Sequence, residues 1–437
     1  MQKSGKPALL QAVVDAFHLP DLRAKILFTL AMLVIFRFVA HVPMPGVDPV
    51  ALRSLFEQNQ LIGMLDLFSG GAMRNLSVAS MGVYPYITAS IIMQLLVPVI
   101  PRLQTLAKEG ESGRQRINQI THWLTVPMAI LQGYGQLVLL RSQGVITGVG
   151  LSSDQLLPTS AMVLSMTAGT IFLVWLGELI TQRGIGNGVS IIIMGGIVAG
   201  LPEMIGRAFI AKDNMGGLLA FVILGLLTVV FIVVVTEGHR RIPVQFSKSL
   251  FRGGRVYRQS GSSHIPLRVN MAGMIPLIFA MSLMIFPGVV ANFFSGDSGV
   301  TGQIANFILR VFDTTGWFYW IAYFLLVLAF AFFYTMIIFQ QMNLAQSLQQ
   351  QGGFVPGIRP GRTTEQYLSG VVNRITWAGA LFLALVAVMP FFAQEATNVL
   401  VLQLSSTGLL IMVGVVLDTL KQLEAQLMMR HYEGFLR

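Results

Sequence analysis

Ten stretches of about twenty mostly apolar residues, each long enough to cross the hydrocarbon core of a bilayer, recur along this chain of 437 residues. They lie at about 22–42, 76–99, 119–140, 158–181, 188–201, 216–236, 267–292, 316–340, 371–393 and 399–419. In lipid every backbone N–H and C=O must find its partner within the protein, so such stretches fold as helices and not as open sheets. The expected fold class is therefore all-α and polytopic. Composition agrees: 54% of residues are hydrophobic and 11% charged, where a soluble domain carries roughly 25% charged residues. The absence of cysteine excludes disulfides, thiol catalysis and Cys-ligated metals. The first twenty residues hold Lys3, Lys6, Asp15 and Pro20 without a long apolar core, so no cleavable signal peptide is expected and the first span acts as the targeting element.

Some of these stretches are interrupted. Leu65-Asp66-Leu67-Phe68-Ser69-Gly70-Gly71 is a short apolar segment stopped by a glycine pair, and the run that follows contains Gly82, Pro85 and Pro98. The fifth stretch is short and is preceded by Gly184-Ile185-Gly186-Asn187-Gly188. Broken helices at membrane depth occur where backbone lines a cavity, which points to something passing through or sitting within the protein. Residues 8–19 and the last twenty, where Leu420, Leu423 and Leu427 share a face, read as amphipathic helices on the membrane surface.

Lys and Arg set the orientation. With the spans alternating from an inside start, the N-terminus up to Lys25 at the edge of the first span, 100–118, 182–187, 237–268, 341–374 and the C-terminal segment hold 22 of them; the opposite loops hold six, and Arg37 remains deep in the first span, which accounts for all 29. Both termini are expected to be cytoplasmic. An internal echo accompanies this asymmetry. Met81-Gly82-Val83-Tyr84-Pro85-Tyr86-Ile87 opens span 2 and Ala272-Gly273-Met274-Ile275-Pro276-Leu277-Ile278 opens span 7, both reading Gly-x-x-Pro-x-Ile. The two are five spans apart, an odd number, so the second half would be inverted relative to the first, with a ligand path between the halves.

Ionisable groups at membrane depth mark ion and proton routes, and here they are few. Arg37 lies late in span 1, and Glu178 lies near the end of span 4, five residues before Arg183, where a structural pair or an interfacial role is the expected reading. No metalloprotease, nucleophile-elbow or phosphate-loop motif occurs, and the six histidines are scattered. Branched residues stand out instead. Val83 with Ile87, Val189 with Ile193 and Met274 with Ile278 are each four apart on one helix face beside a Gly or Pro. They read either as ordinary packing residues or as a hydrophobic constriction that stops ions by dewetting. The 237–268 loop carries Arg240, Arg241, Lys248, Arg252, Arg255, Arg258 and Arg268 against one acid, Glu237, and the 341–374 loop presents Arg359 within Phe354-Val355-Pro356-Gly357-Ile358-Arg359-Pro360-Gly361. Such charge suits anionic lipid or phosphate, and long shaped loops are where partners bind. A small-solute transporter with inverted repeats would need a polar site at mid-membrane; a membrane scaffold with basic docking loops would not need broken helices.

Several motifs in order resemble the bacterial SecY family of protein translocase channel subunits. They are Arg37 with Val42-Pro43-Met44-Pro45-Gly46, Phe68-Ser69-Gly70-Gly71, Pro85 to Ile92, Lys108-Glu109-Gly110-Glu111-Ser112-Gly113-Arg114, Gly184 to Gly188, Val269-Asn270-Met271-Ala272-Gly273 and Phe354 to Gly361. The resemblance runs from about residue 22 to 432. It implies ten helices in two pseudo-symmetric inverted halves around a central pore, with a short re-entrant plug helix at 62–74. The division would be a cytoplasmic segment 1–21, an N-terminal half 22–201, a hinge loop 202–215, a C-terminal half 216–419 with cytoplasmic loops 237–268 and 341–370, and a tail 420–437. The resemblance assigns a pore ring to Val83, Ile87, Val189, Ile193, Ile278 and Ile411, where Val83 and Val189 stand in place of a frequent Ile. It assigns the plug to Leu65, Asp66, Leu67, Phe68, Ser69, Gly70 and Gly71. A lateral gate between spans 2 and 7 would use Thr88, Ser90, Gln94, Ser282 and Phe286, and docking would use Arg240, Arg241, Arg255, Arg258 and Arg359. The implied partners are SecE, SecG, the SecA motor, the ribosome and its RNA, the translocating polypeptide with its signal sequence, membrane lipid and further copies in higher oligomers. The implied location is the bacterial cytoplasmic membrane, and no cofactor, metal or enzymatic activity is implied. The Gln-rich 340–351 stretch lacks the Pro and Lys that the family pattern leads one to expect there.

Overall fold

The structure is a computed structural model, and it describes residues 17–45, 47, 52, 69–142, 144–146, 148–150, 154–210, 215–252, 255–273, 275–294, 299–313, 316–397 and 402–433. The elements are α1 Pro20–Val39, α2 Tyr84–Leu96, α3 Pro101–Lys108, α4 Glu111–Ser142, α5 Leu156–Arg183, α6 Gly188–Ile210, α7 Met215–Glu237, β1 His239–Arg252, β2 Arg255–Arg268, α8 Ile275–Phe294, α9 Val300–Val311, α10 Trp317–Met342, α11 Leu344–Gln350, β3 Gly353–Phe354, α12 Arg362–Thr397 and α13 Leu402–Glu433. A helix overlies each of the ten apolar stretches. Among the described residues four helices are long and apolar enough to cross a membrane, and α2 with α3, bent by 97°, makes a fifth if the pair is one span. Gly188–Pro202, Gly225–Glu237 and Ile275–Gly288 are shorter apolar helices.

The two echoed motifs share a backbone device. Gly82 has φ 57° and Gly273 has φ 64°, the left-handed region that glycine adopts without steric cost. Each helix then starts two residues later, α2 at Tyr84 and α8 at Ile275, with Pro85 or Pro276 in its first turn, where the missing N–H is not needed. A left-handed glycine followed by a helix-starting proline breaks the chain at the same relative point in both motifs.

The 237–268 loop is not an irregular loop. It is an antiparallel hairpin with His239 opposite Arg268 and Arg252 opposite Arg255, and β3 from the other basic loop pairs with β1, placing Gln245 opposite Phe354. Ile242 and Val244 are buried with Leu267, Leu348, Val355 and Leu368 in one cluster at the start of α12. The helical reading of the membrane part thus gains a three-stranded sheet outside it. At its foot, Lys421 Nζ lies 2.7 Å from Glu237 Oε1 and Arg268 Nη1 4.0 Å from Asp418 Oδ1.

Two further expectations meet the structure differently. The stretch expected as a hinge loop, 202–215, is helical to Ile210, where α6 ends, and again from Met215. The C-terminal segment is not a separate amphipathic helix: α13 continues through it, with Leu423 buried against Leu22 and Ile185, and Leu427 packed alongside. The N-terminal amphipathic stretch lies outside the described residues up to position 16. The largest apolar cluster joins residues of α1, α2, α5, α6, α7, α8, α10, α12 and α13, and a second gathers α4 and α5 around Leu137, Leu140 and Met166.

Candidate functional site

The branched side chains expected at the ring belong to the largest cluster. Val83 and Ile87 come from the start of α2, Ile193 from α6 and Ile411 from α13; all four are buried. Val189 of α6 and Ile278 of α8 are half-buried and pack against the same cluster. All six residues of the expected ring therefore fall in or against one apolar cluster, which spans nine helices. An apolar constriction built from such residues would give water few hydrogen bonds in return for entering it.

Beside this region sits the glycine turn. Ser69 is buried and its Oγ accepts the Met73 N–H at 3.1 Å. Gly70 and Gly71 have φ 67° and 84°. The Arg37 guanidinium donates to the Gly70 carbonyl at 2.7 Å, which gives the cation late in the first span a partner. Gly70 also lies so close to Gly196 of α6 that a Cβ on Gly196 would stand 2.2 Å from the Gly70 Cα. The turn is thus held from α1 and seated on α6. Leu65, Asp66, Leu67 and Phe68 lie outside the described residues.

The two helices that carry the echoed motifs, α2 and α8, touch. Tyr84 Oη donates to the Ser282 carbonyl of α8 at 3.4 Å. Of the five residues expected at this seam, Ser282 is buried beneath that contact and Phe286 is exposed. Thr88 bonds back to Tyr84 and Pro85 carbonyls and accepts Gln132 Nε2 of α4 at 3.0 Å. Gln94 Nε2 donates to Ser90 Oγ at 3.3 Å. Ser90 and Gln94 line a cavity of about 400 Å³ between α2, α4 and α10, with Asn118, Thr121 and Gln341. Tyr84 makes the direct link between α2 and α8, and the sequence reading passed over it; its place before Pro85 in the repeated motif was the available signal. Glu178 faces His122 Nε2 at 3.3 Å and Asn118 Nδ2 at 3.5 Å, with Tyr86 stacked on His122. Its partners are therefore on α4, a structural tie between spans 3 and 4.

The basic residues outside the helices divide by element. Arg240 and Arg241 are exposed at the foot of β1. Arg255 pairs in register with Arg252, and Arg258 with Ser249, along the hairpin. Arg359 is exposed in the turn between β3 and α12, and its carbonyl accepts the hydroxyls of Thr363 and Thr364 at 2.6 and 2.8 Å.

Comparison with known proteins decides the kinship. Residues 77–420 match the model of the SecY family. The chain belongs to the SecY family. It is 44% identical to the protein translocase subunit SecY of Streptomyces scabiei, with 98% of this chain and all of that protein aligned. It is 39% identical to the protein translocase subunit SecY of Thermotoga maritima, with 98% of each covered. A solved structure described as that of a protein conducting channel superposes with a TM-score of 0.60 at 17% identity, covering 92% of each chain, which shows that the SecY fold is shared.

Proposed function

We propose that this chain is the pore-forming subunit of a protein-conducting channel. It moves unfolded secretory polypeptides across the bacterial cytoplasmic membrane and releases apolar segments sideways into lipid. The observation that carries this reading is the convergence of Val83, Ile87, Val189, Ile193, Ile278 and Ile411, from four helices of both halves, on one apolar cluster. A ring of flexible apolar side chains fits around a moving chain and offers it no hydrogen-bond partner. The Gly70 turn seated on Gly196 supports a plug beside the ring. The Tyr84–Ser282 contact supports a lateral gate between α2 and α8. The work done is physical: exposing polar backbone to hydrocarbon costs several kcal/mol per unsatisfied group, and a path through protein removes that cost.

The hairpin and the Arg359 turn, joined in one sheet, form the docking platform for the ribosome or the SecA motor, with SecE and SecG as membrane partners. Support comes from the exposure of Arg240, Arg241 and Arg359 and from the surplus of Lys and Arg on this side, which also supports a cytoplasmic position for both termini. The test is a photo-crosslinker at Ile87 or Ile278 in the assembled channel, presented with a stalled secretory nascent chain. Efficient crosslinks to that chain are expected at both positions. No crosslink at either, with saturable uptake of a small solute by the same vesicles, would replace the channel with a transporter.

A further inference from the structure

The helix between spans 7 and 8 has three faces. At 100° per residue, Gly302 and Ala305 share the side buried against the protein, with Leu309 half-buried beside them. Gln303, Asn306 and Arg310 make a second, exposed and polar side. Val300, Ile304 and Phe307 make a third, and they are 72%, 54% and 67% exposed. A soluble surface helix has two faces, one for the core and one for water. This one carries an apolar stripe pointing away from its own protein contact, which calls for a third medium.

Its position identifies that medium. α9 follows the end of α8 and precedes the start of α10, so connectivity puts it at the membrane face opposite the hairpin, which precedes α8. Exposed apolar residues continue on both sides: Phe286, Val290 and Phe294 on α8, and Trp317, Phe318 and Ile321 on α10. Phe312, just past α9, meets Phe318 edge to face at 6.2 Å, and Trp at the start of a membrane helix is typical of the interface. Small residues on the packed side let α9 lie close against the protein while the stripe extends the lipid-facing belt.

We propose that α9 is an interfacial helix, with Val300, Ile304 and Phe307 inserted among the acyl chains of that leaflet and Gln303, Asn306 and Arg310 in the headgroup and water layer. It anchors that end of α8 to the membrane surface. The consequence for gating rests on reading α8 as a gate helix, whereas the lipid contact does not.

The chain has no cysteine, so single spin labels can be introduced without background. Gln303→Cys, Ile304→Cys, Asn306→Cys and Phe307→Cys are each labelled in the assembled channel in phospholipid nanodiscs, and accessibility to oxygen and to a water-soluble nickel chelate is measured. Labels at 304 and 307 are expected to favour oxygen, and labels at 303 and 306 the chelate, alternating with the helical period. Chelate access at 304 and 307 equal to that at 306 would mean that the stripe faces water. Immobile labels shielded from both reagents at 304 and 307 would mean that a protein subunit covers it. Either result overturns the proposal, and neither depends on translocation activity.

Discussion

In the proposed ring, single residues would carry the seal. Ile411 is 2% exposed, and Ile278 packs against the same cluster. Ile278→Asn or Ile411→Asn places an amide where closure relies on expelling water, a cost of about 1–2 kcal/mol for a buried amide without a partner. Resting ion conductance should rise, and export of a protein with a defective signal sequence should increase, because less binding energy is needed to open the channel. Leu137→Asn is the control: Leu137 is equally dry but belongs to the separate cluster of α4 and α5. Equal relaxation in that variant would point to general destabilisation. Gly196 offers a second test at this scale. A methyl there meets the backbone of Gly70 and not the end of a flexible side chain, so Gly196→Ala must push the turn away, at a cost on the order of 1–3 kcal/mol. Resting conductance is expected to rise while the protein still inserts and folds. Wild-type conductance in that variant would remove Gly196 as the seat of the turn.

Elements differ in how far the sequence disclosed them. The breaks before α2 and α8 were legible because Gly82, Pro85, Gly273 and Pro276 act on their own backbone and need no distant partner. The hairpin was missed although Ile242, Val244 and Phe246 alternate with Arg241, Pro243 and Gln245, a period-two signal hidden beneath the charge. Its pairing with β3 joins segments about a hundred residues apart, and no local pattern reports that. The Arg37–Gly70 bond was beyond reach for the same reason, though the cation inside span 1 called for a carbonyl partner. Arg359 was legible because Pro356, Gly357, Pro360 and Gly361 frame it. The structure adds the two threonine hydroxyls that fix its carbonyl. Arg359→Glu changes an exposed side chain and not that scaffold, so stability should move by less than about 0.5 kcal/mol. Binding of the ribosome or the SecA motor in nanodiscs is expected to weaken, with resting conductance unchanged. Unaltered affinity for both would separate the turn from docking.

At the scale of the whole molecule, the proposed gate closes at the contact between α2 and α8, and that seam contains both a latch and an opposing cost. The latch is the Tyr84 hydroxyl on the Ser282 carbonyl, at 3.4 Å a long bond, so it stands at the lower end of the usual 0.5–1.5 kcal/mol, about 0.5–1 kcal/mol. The cost is the Ser282 hydroxyl, buried with no hydrogen-bond partner among the described residues; an unmet buried group costs about 1–3 kcal/mol. Opening the seam lets water or substrate satisfy that hydroxyl, so it favours the open state, while the tyrosine favours the closed one. The two substitutions therefore have opposite signs. Tyr84→Phe removes the latch, and export of a defective-signal substrate should rise by roughly two- to fivefold, the equilibrium shift that 0.5–1 kcal/mol gives. Ser282→Ala keeps the carbonyl and removes the unmet hydroxyl, so the same substrate should be exported less and resting conductance should fall. In the double variant, latch and cost leave together, and the phenotype should lie between the two. Both single variants shifting in the same direction would show that the seam is not balanced in this way and that Tyr84 and Ser282 serve packing alone.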